Sequence, residues 1–186
     1  MSRYPDWVPF ITNCPGCPYG GRAIGPRGDP ASRIVLVGEA PGATEIAVGE
    51  PFCGPAGDVL RQALVAAEMP VATVFITNAV ACLPHPVHPR IKAIDSCRTR
   101  LAQDLETHPR AVIVALGATA IRAVTGLRGF HVTKKTPDAD LPSAWGPVVP
   151  TLHPAFVRRR GLGGPEYRTL VDDLRRALDR ASALGD

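Results

Sequence analysis

Four cysteines and a handful of polar residues carry most of the chemistry open to this sequence. Cys14-Pro-Gly-Cys17 is a C-x-x-C, and Cys82 and Cys97 form a second pair. In an intracellular chain such a set reads as metal ligation rather than disulfide pairing. Four thiolates suit tetrahedral zinc or an iron–sulfur cluster, and the spacing leaves both open. Pro15, Pro18, Pro84, Pro86 and Pro89 flank the cysteines and fix the local backbone. Cys53 stands alone between Phe52 and Gly54 and reads as a small packing residue.

A second concentration of chemistry lies in the segment 38–57, a Gly/Pro-rich stretch with the acids Glu39 and Glu45 and the aromatic Phe52. It directly follows the apolar run Ile34-Val35-Leu36-Val37, whose length and β-branched content suit a buried strand. Open α/β sheets bind ligands in loops at the carboxyl ends of their strands. The segment has neither G-x-G-x-x-G nor G-K-[ST], so it is built to grip something other than a nucleotide phosphate.

The elements that must position these residues alternate along the chain. Strands are expected near 33–37, 73–77, 111–115 and 147–152. Helices are expected over Ala56–Glu68, near 91–107, over Gly117–Thr125 and near 165–183. Leu60, Leu64 and Ala67 share one helical face, as do Leu170, Leu174 and Leu178. Strict alternation implies right-handed crossovers and a three-layer α/β sandwich, with a four-stranded parallel sheet and helices on both faces. Glu39, Asn78 and His153 each fall just past a strand, so one edge of the sheet collects them into a site.

The chain has 186 residues, 45% of them hydrophobic, which suits one globular domain, with the C-x-x-C in a Pro/Gly/Cys-rich metal-binding segment at about 10–30. No apolar run reaches the roughly 18–20 residues of a membrane span. Met1–Asp6 contains no apolar signal core, so the expectation is an intracellular protein. The net charge of +4 is gathered into Arg158-Arg159-Arg160, Lys134-Lys135, and Arg90 with Lys92. Basic clusters in loops contact phosphates or simply face solvent.

Taken together, these residues resemble those of the family 4 uracil-DNA glycosylases, the iron–sulfur branch of that superfamily. The segment Gly38–Gly57 is similar to the first family motif, Ile76-Thr77-Asn78 to the second, and Thr151-Leu152-His153-Pro154-Ala155 to the third. Cys14, Cys17, Cys82 and Cys97 match the cluster ligands in order and spacing. The resemblance runs from about residue 10 to 178. It implies a structural [4Fe–4S] cluster and hydrolysis of the N-glycosidic bond of deoxyuridine in DNA, by a monomer without an obligate protein partner. The target base must leave the duplex to be reached. Asn78 can pair with the polar edge of a flipped pyrimidine, and Phe52 can stack on its face. His153 can donate to the uracil oxygen that gains charge. Backbone N–H groups of the turn from Glu39 through Ala40 to Gly42 can hold that carbonyl or the attacking water. Arg158, Arg159 and Arg160 are expected on the DNA backbone, with Phe156, Val157 or Leu162 as a wedge.

Departures from the family pattern set alternatives. Ala40 stands where another branch carries a water-positioning aspartate, which leaves Glu45 and Glu39 as the acids, with Glu45 favoured. Ile46 replaces a usual aspartate. His85 and His88 read as surface or DNA-contacting residues, because the long insertion of the covalent-trapping branch is missing. A metal-stapled DNA-binding or damage-sensing module without activity, an electron-transfer protein, and a glycosylase shifted toward hypoxanthine or xanthine are the competing readings.

Overall fold

In the computed structural model, which describes residues 23–83, 91–127, 141 and 143–184, the apolar runs assemble into one sheet. Its strands are β1 (Arg27–Gly28), β2 (Ile34–Gly38), β3 (Phe75–Asn78), β4 (Val112–Leu116) and β5 (Val148–Thr151), in the order β1-β3-β2-β4-β5. Strands β2 to β5 run parallel and are buried along their whole length. Burial on both sides is why they read as unbroken Val/Ile/Leu runs rather than alternating ones.

Helices cover both faces, giving the expected three layers. On one face α2 (Pro55–Ala66) and α6 (Pro165–Ala183) pack on Leu36, Ile76, Val114 and Val149. On the other, α3 (Ile91–Glu106) and α4 (Ala118–Thr125) meet Val35, Val37, Ile113 and Val148. Successive strand residues alternate between the two clusters, as a pleated strand requires. Leu60, Leu64, Ala67, Leu170 and Leu174 are all buried, and Leu178 packs half-buried against the first cluster.

Three features differ from the sequence expectation. The sheet has a fifth strand: β1 pairs antiparallel with β3, Arg27 opposite Ile76 and Gly28 opposite Phe75. Two residues, one charged and one glycine, carry no apolar pattern to announce a strand. The segment 38–57 also contains a short helix, α1 (Ala43–Val48), and a second one, α5 (Pro154–Arg160), follows β5. Both are too short for a helical period to show. Their signals are Glu45 at the third helical position and Pro154 at the first. Finally, Val157 is 0% exposed in the core and is not a wedge, whereas Leu162 is 39% exposed.

Cys14, Cys17, His85, His88, Arg90, Lys134 and Lys135 lie outside the described residues. Among the described residues, no helix is long and apolar enough to cross a membrane.

One close contact locks the loop between α1 and α2. Phe52 adopts φ 54°, a left-handed conformation uncommon for a large residue. Its carbonyl passes over Gly57, where a Cβ would sit 1.8 Å from the oxygen. Gly57→Ala must therefore displace the Phe52 backbone. The expected loss is about 1–3 kcal/mol in urea unfolding. Gly163→Ala, where a Cβ meets nothing within 4 Å, should fall within about 0.5 kcal/mol of the parent. Equal effects from both would show that this contact is not a constraint.

Candidate active site

A cavity of about 250 Å³ opens at the carboxyl edge of the sheet, with Ala40, Gly42, Glu45, Phe52, Asn78, His153 and Arg158 in its lining. It is at the small end of ligand sites, with room for one flat ring rather than a dinucleotide. Three strand ends supply these residues. The turn after β2 brings Ala40 and Gly42, the last residue of β3 is Asn78, and His153 follows β5 as the N-cap of α5. A larger cavity, about 390 Å³, lies at the opposite edge between the segments entering β2 and β4. None of the residues singled out above lines it.

Asn78 is 5% exposed, and its Oδ1 has no hydrogen-bond partner among the described residues. An unmet amide oxygen in the interior costs roughly 1–3 kcal/mol, which a ligand donor can recover. The amide is packed against Gly38, where a Cβ would stand 2.3 Å from Oδ1 and 2.6 Å from the Phe52 ring. Only glycine lets the amide and the ring approach each other there. Phe52 serves two purposes, closing the core at 5% exposure and presenting its ring to the cavity. Its centroid lies 6.1 Å from that of His153, with the rings inclined by 31°.

His153 takes its tautomer from the helix it caps. Its Nδ1 accepts the N–H of Ala155 at 3.1 Å, so in the neutral ring the proton is on Nε2. Burial, reinforced by the Arg159 guanidinium, pushes the imidazole down from 6.5 to about 4. At neutral pH it is an uncharged ring with one N–H to donate.

The acids divide. Glu45 is buried, and its carboxylate clasps both ends of the segment that carries Phe52. One oxygen accepts the N–H of Gly42 and the other that of Gly54, each at 3.1 Å. The Gly42 amide is thereby committed and is not available to a ligand. Glu39 is not in the cavity lining and accepts the hydroxyl of Thr119 at 3.0 Å. Ile46 is half-buried on α1 and does not line the cavity. Burial and the charges of Glu45 and Glu50 push the Cys53 thiol up, which suits a packing residue rather than a nucleophile.

Arg158, Arg159 and Arg160 are exposed in the last turn of α5, where the helix dipole favours cations. Arg159 and Arg160 lie 6.0 Å and 5.3 Å from the centroid of Phe156. The aromatic face holds two guanidinium groups next in sequence to Arg158, which lines the cavity.

Of the four sequence-identified cysteines, the structure describes two. Cys82 and Cys97 are both buried in the apolar cluster beneath α3. Ala23 bridges to Cys82, and the Ile24 N–H donates to the Ala81 carbonyl at 2.7 Å. The described chain thus begins beside Cys82. Among the described residues no metal-binding group is assembled, and two of the four expected ligands are not among those residues.

Residues 26–175 match the Uracil DNA glycosylase superfamily. The chain is 32% identical to a Type-4 uracil-DNA glycosylase of Pyrobaculum aerophilum, over 92% of this chain and 93% of that protein. It is 32% identical to one of Archaeoglobus fulgidus, over 91% and 90%. A third, from Thermotoga maritima, is 30% identical over 90% and 88%.

The depressed His153 has a consequence for stability. Unfolded, the ring takes a proton below about 6.5; folded, it does so only below about 4. Between those values the unfolded state binds the extra proton, so stability falls as the pH drops through that window. The loss should be on the order of 3 kcal/mol. His153→Asn keeps a capping side chain without the titration. Unfolding free energies of parent and variant from pH 8 to 4 should diverge below about 6.5, the parent losing more. Parallel curves would show that the ring is not desolvated.

Proposed function

We infer that this chain, which belongs to the Uracil DNA glycosylase superfamily, is a uracil-DNA glycosylase: it hydrolyses the N-glycosidic bond of deoxyuridine in DNA and leaves an abasic site. The observation that supports this best is the unmet Asn78 amide beside an aromatic ring and a neutral histidine, at the carboxyl edge of the sheet.

The residue roles follow from that arrangement. A uracil flipped out of the stack enters the cavity and lies on the Phe52 ring. Asn78 Oδ1 accepts the uracil N3–H, and its Nδ2 donates to O4. Cytosine presents the opposite pattern, an acceptor at N3 and a donor at N4, and leaves the same amide unpaired. As the bond to C1′ lengthens, negative charge grows on the departing ring, and the Nε2–H of His153 donates to the oxygen that receives it. A neutral donor suffices, and burial keeps it neutral above about pH 4. Glu45 accepts two amides but, as a carboxylate with about four lone-pair sites, still has capacity toward the cavity it lines. We assign it the attacking water. Glu39, bonded to Thr119 and off the lining, is left without that role. Arg158, Arg159 and Arg160 meet the DNA backbone, and the exposed Leu162 wedges where the base departs.

Cys14, Cys17, Cys82 and Cys97 would hold a [4Fe–4S] cluster. The buried thiols of Cys97 on α3 and Cys82 after β3 are the donor type such a group takes, and Ala23 pairs beside Cys82. When bound it supplies a cross-link between segments distant in sequence, and no step of bond cleavage passes through it. The chain acts as a single intracellular domain and a monomer.

Single-turnover cleavage of oligonucleotides carrying one uracil tests the roles. His153→Ala should lower the rate by roughly 10²–10³ with DNA affinity nearly unchanged. Asn78→Ala should lower it roughly ten- to hundredfold and weaken the preference for uracil over cytosine. A parental rate in either variant overturns that assignment, and intact uracil DNA with the parent protein overturns the reaction. For the metal, purified protein should carry iron and acid-labile sulfide with visible absorbance, and Cys97→Ser should lose both with a lower melting temperature. Zinc in their place would reverse the choice of metal.

A further inference from the structure

This inference rests on the reading of Asn78 as the residue that recognises the base. On the outer side of β3, β1 pairs only with Phe75 and Ile76. The Val74 carbonyl faces that side and accepts the Asp29 N–H at 3.3 Å. Carbonyls alternate along an extended chain, so the Asn78 carbonyl faces the same way, in the gap between these pairs and the Ala23–Cys82 bridge. A side chain fills that gap: Arg100 on α3 donates from Nη2 to that carbonyl. The other half of the same peptide, the Ala79 N–H, donates to the Gly38 carbonyl at 2.9 Å. The peptide plane that follows Asn78 is therefore bonded on both sides. Fixing that plane fixes the ψ of Asn78 and the direction in which its Cβ sends the amide.

Arg100 is itself held. Its Nη1 pairs with the Asp104 carboxylate and reaches Thr77 Oγ1 at 3.1 Å, while the Thr77 hydroxyl donates to Asp104 Oδ2 at 2.6 Å. The Arg100 and Asp104 side chains are only 11% and 13% exposed, so water does little to loosen the pair. Neither lines the cavity.

We propose that Arg100 is a positioning residue for base recognition, holding the Asn78 peptide so that the amide meets the edge of uracil. Asp104 and Thr77 serve by orienting the guanidinium. Arg100→Met combined with Asp104→Leu tests this, because it removes the clamp without leaving a buried charge unpaired. The readouts are single-turnover cleavage at uracil, affinity for the same DNA, and thermal melting, in the parent and in an Asn78→Ala background. In the parent background the rate should fall roughly tenfold, with affinity changed less than about twofold. In the Asn78→Ala background the same pair should lower the rate by less than about twofold, since the residue it acts through is gone. An unchanged rate in a folded double variant overturns the proposal, as does a loss of equal size in both backgrounds. If the double variant does not melt cooperatively, Arg100→Lys, which keeps the charge and loses the fork, is read by the same criteria. A parent protein that leaves uracil DNA intact brings down the uracil-removal reading and this proposal with it. An active parent, an impaired Asn78→Ala and a silent Arg100 pair bring down the positioning role alone.

Discussion

The constraint on which the rest of the structure depends is the shared direction of β2, β3, β4 and β5. Strands bonded in parallel deliver all their carboxyl ends to one edge, whatever the sequence distance between them. The turn after β2, the amide of Asn78 and the ring of His153 are far apart in the chain and line one cavity for that reason. The apolar faces that weld the sheet to its helices contribute no chemistry. They set the register, and the register sets which side chains stand at the rim.

At that rim, precision comes from contacts too tight for alternatives. Gly38 brings the Phe52 ring and the Asn78 amide together, and Gly57 admits the Phe52 backbone in its unusual conformation. Glu45 then closes the segment by accepting an amide from each end. A ring whose backbone and flanking segment are fixed in this way needs less ordering by a ligand, which lowers the entropic cost of filling the cavity.

Much of this was legible in the sequence, for identifiable reasons. The four parallel strands and the four longer helices were readable because burial on one or two faces writes itself as run length or period. Asn78 and His153 could be placed because each follows such a run directly. What escaped was held together by other means. β1 is two residues of edge pairing, α1 is organised around a glycine cap and Glu45, and α5 around His153 and Pro154. None buries enough surface to leave a pattern. The hydrogen-bond partners of the two acids left no trace for a related reason: a carboxylate that accepts backbone amides and one that accepts a hydroxyl look alike in a sequence. Only the partners of Glu39 and Glu45 separate them. The Arg100 clamp was equally hidden, since an arginine one turn beyond Cys97 reads as an ordinary surface charge until the end of β1 shows which carbonyl it must serve.

Helix α5 begins at the imidazole and ends at the arginines. Seven residues at about 1.5 Å each make it a ruler of roughly 10 Å. One rigid rod therefore sets the distance between the imidazole at the cavity and the guanidinium groups at its far end. Insertion or deletion of a single residue within it would rotate one end against the other by about 100°, one residue's share of a helical turn. The gauge of this segment, more than its composition, is what substitution in this part of the chain has to respect.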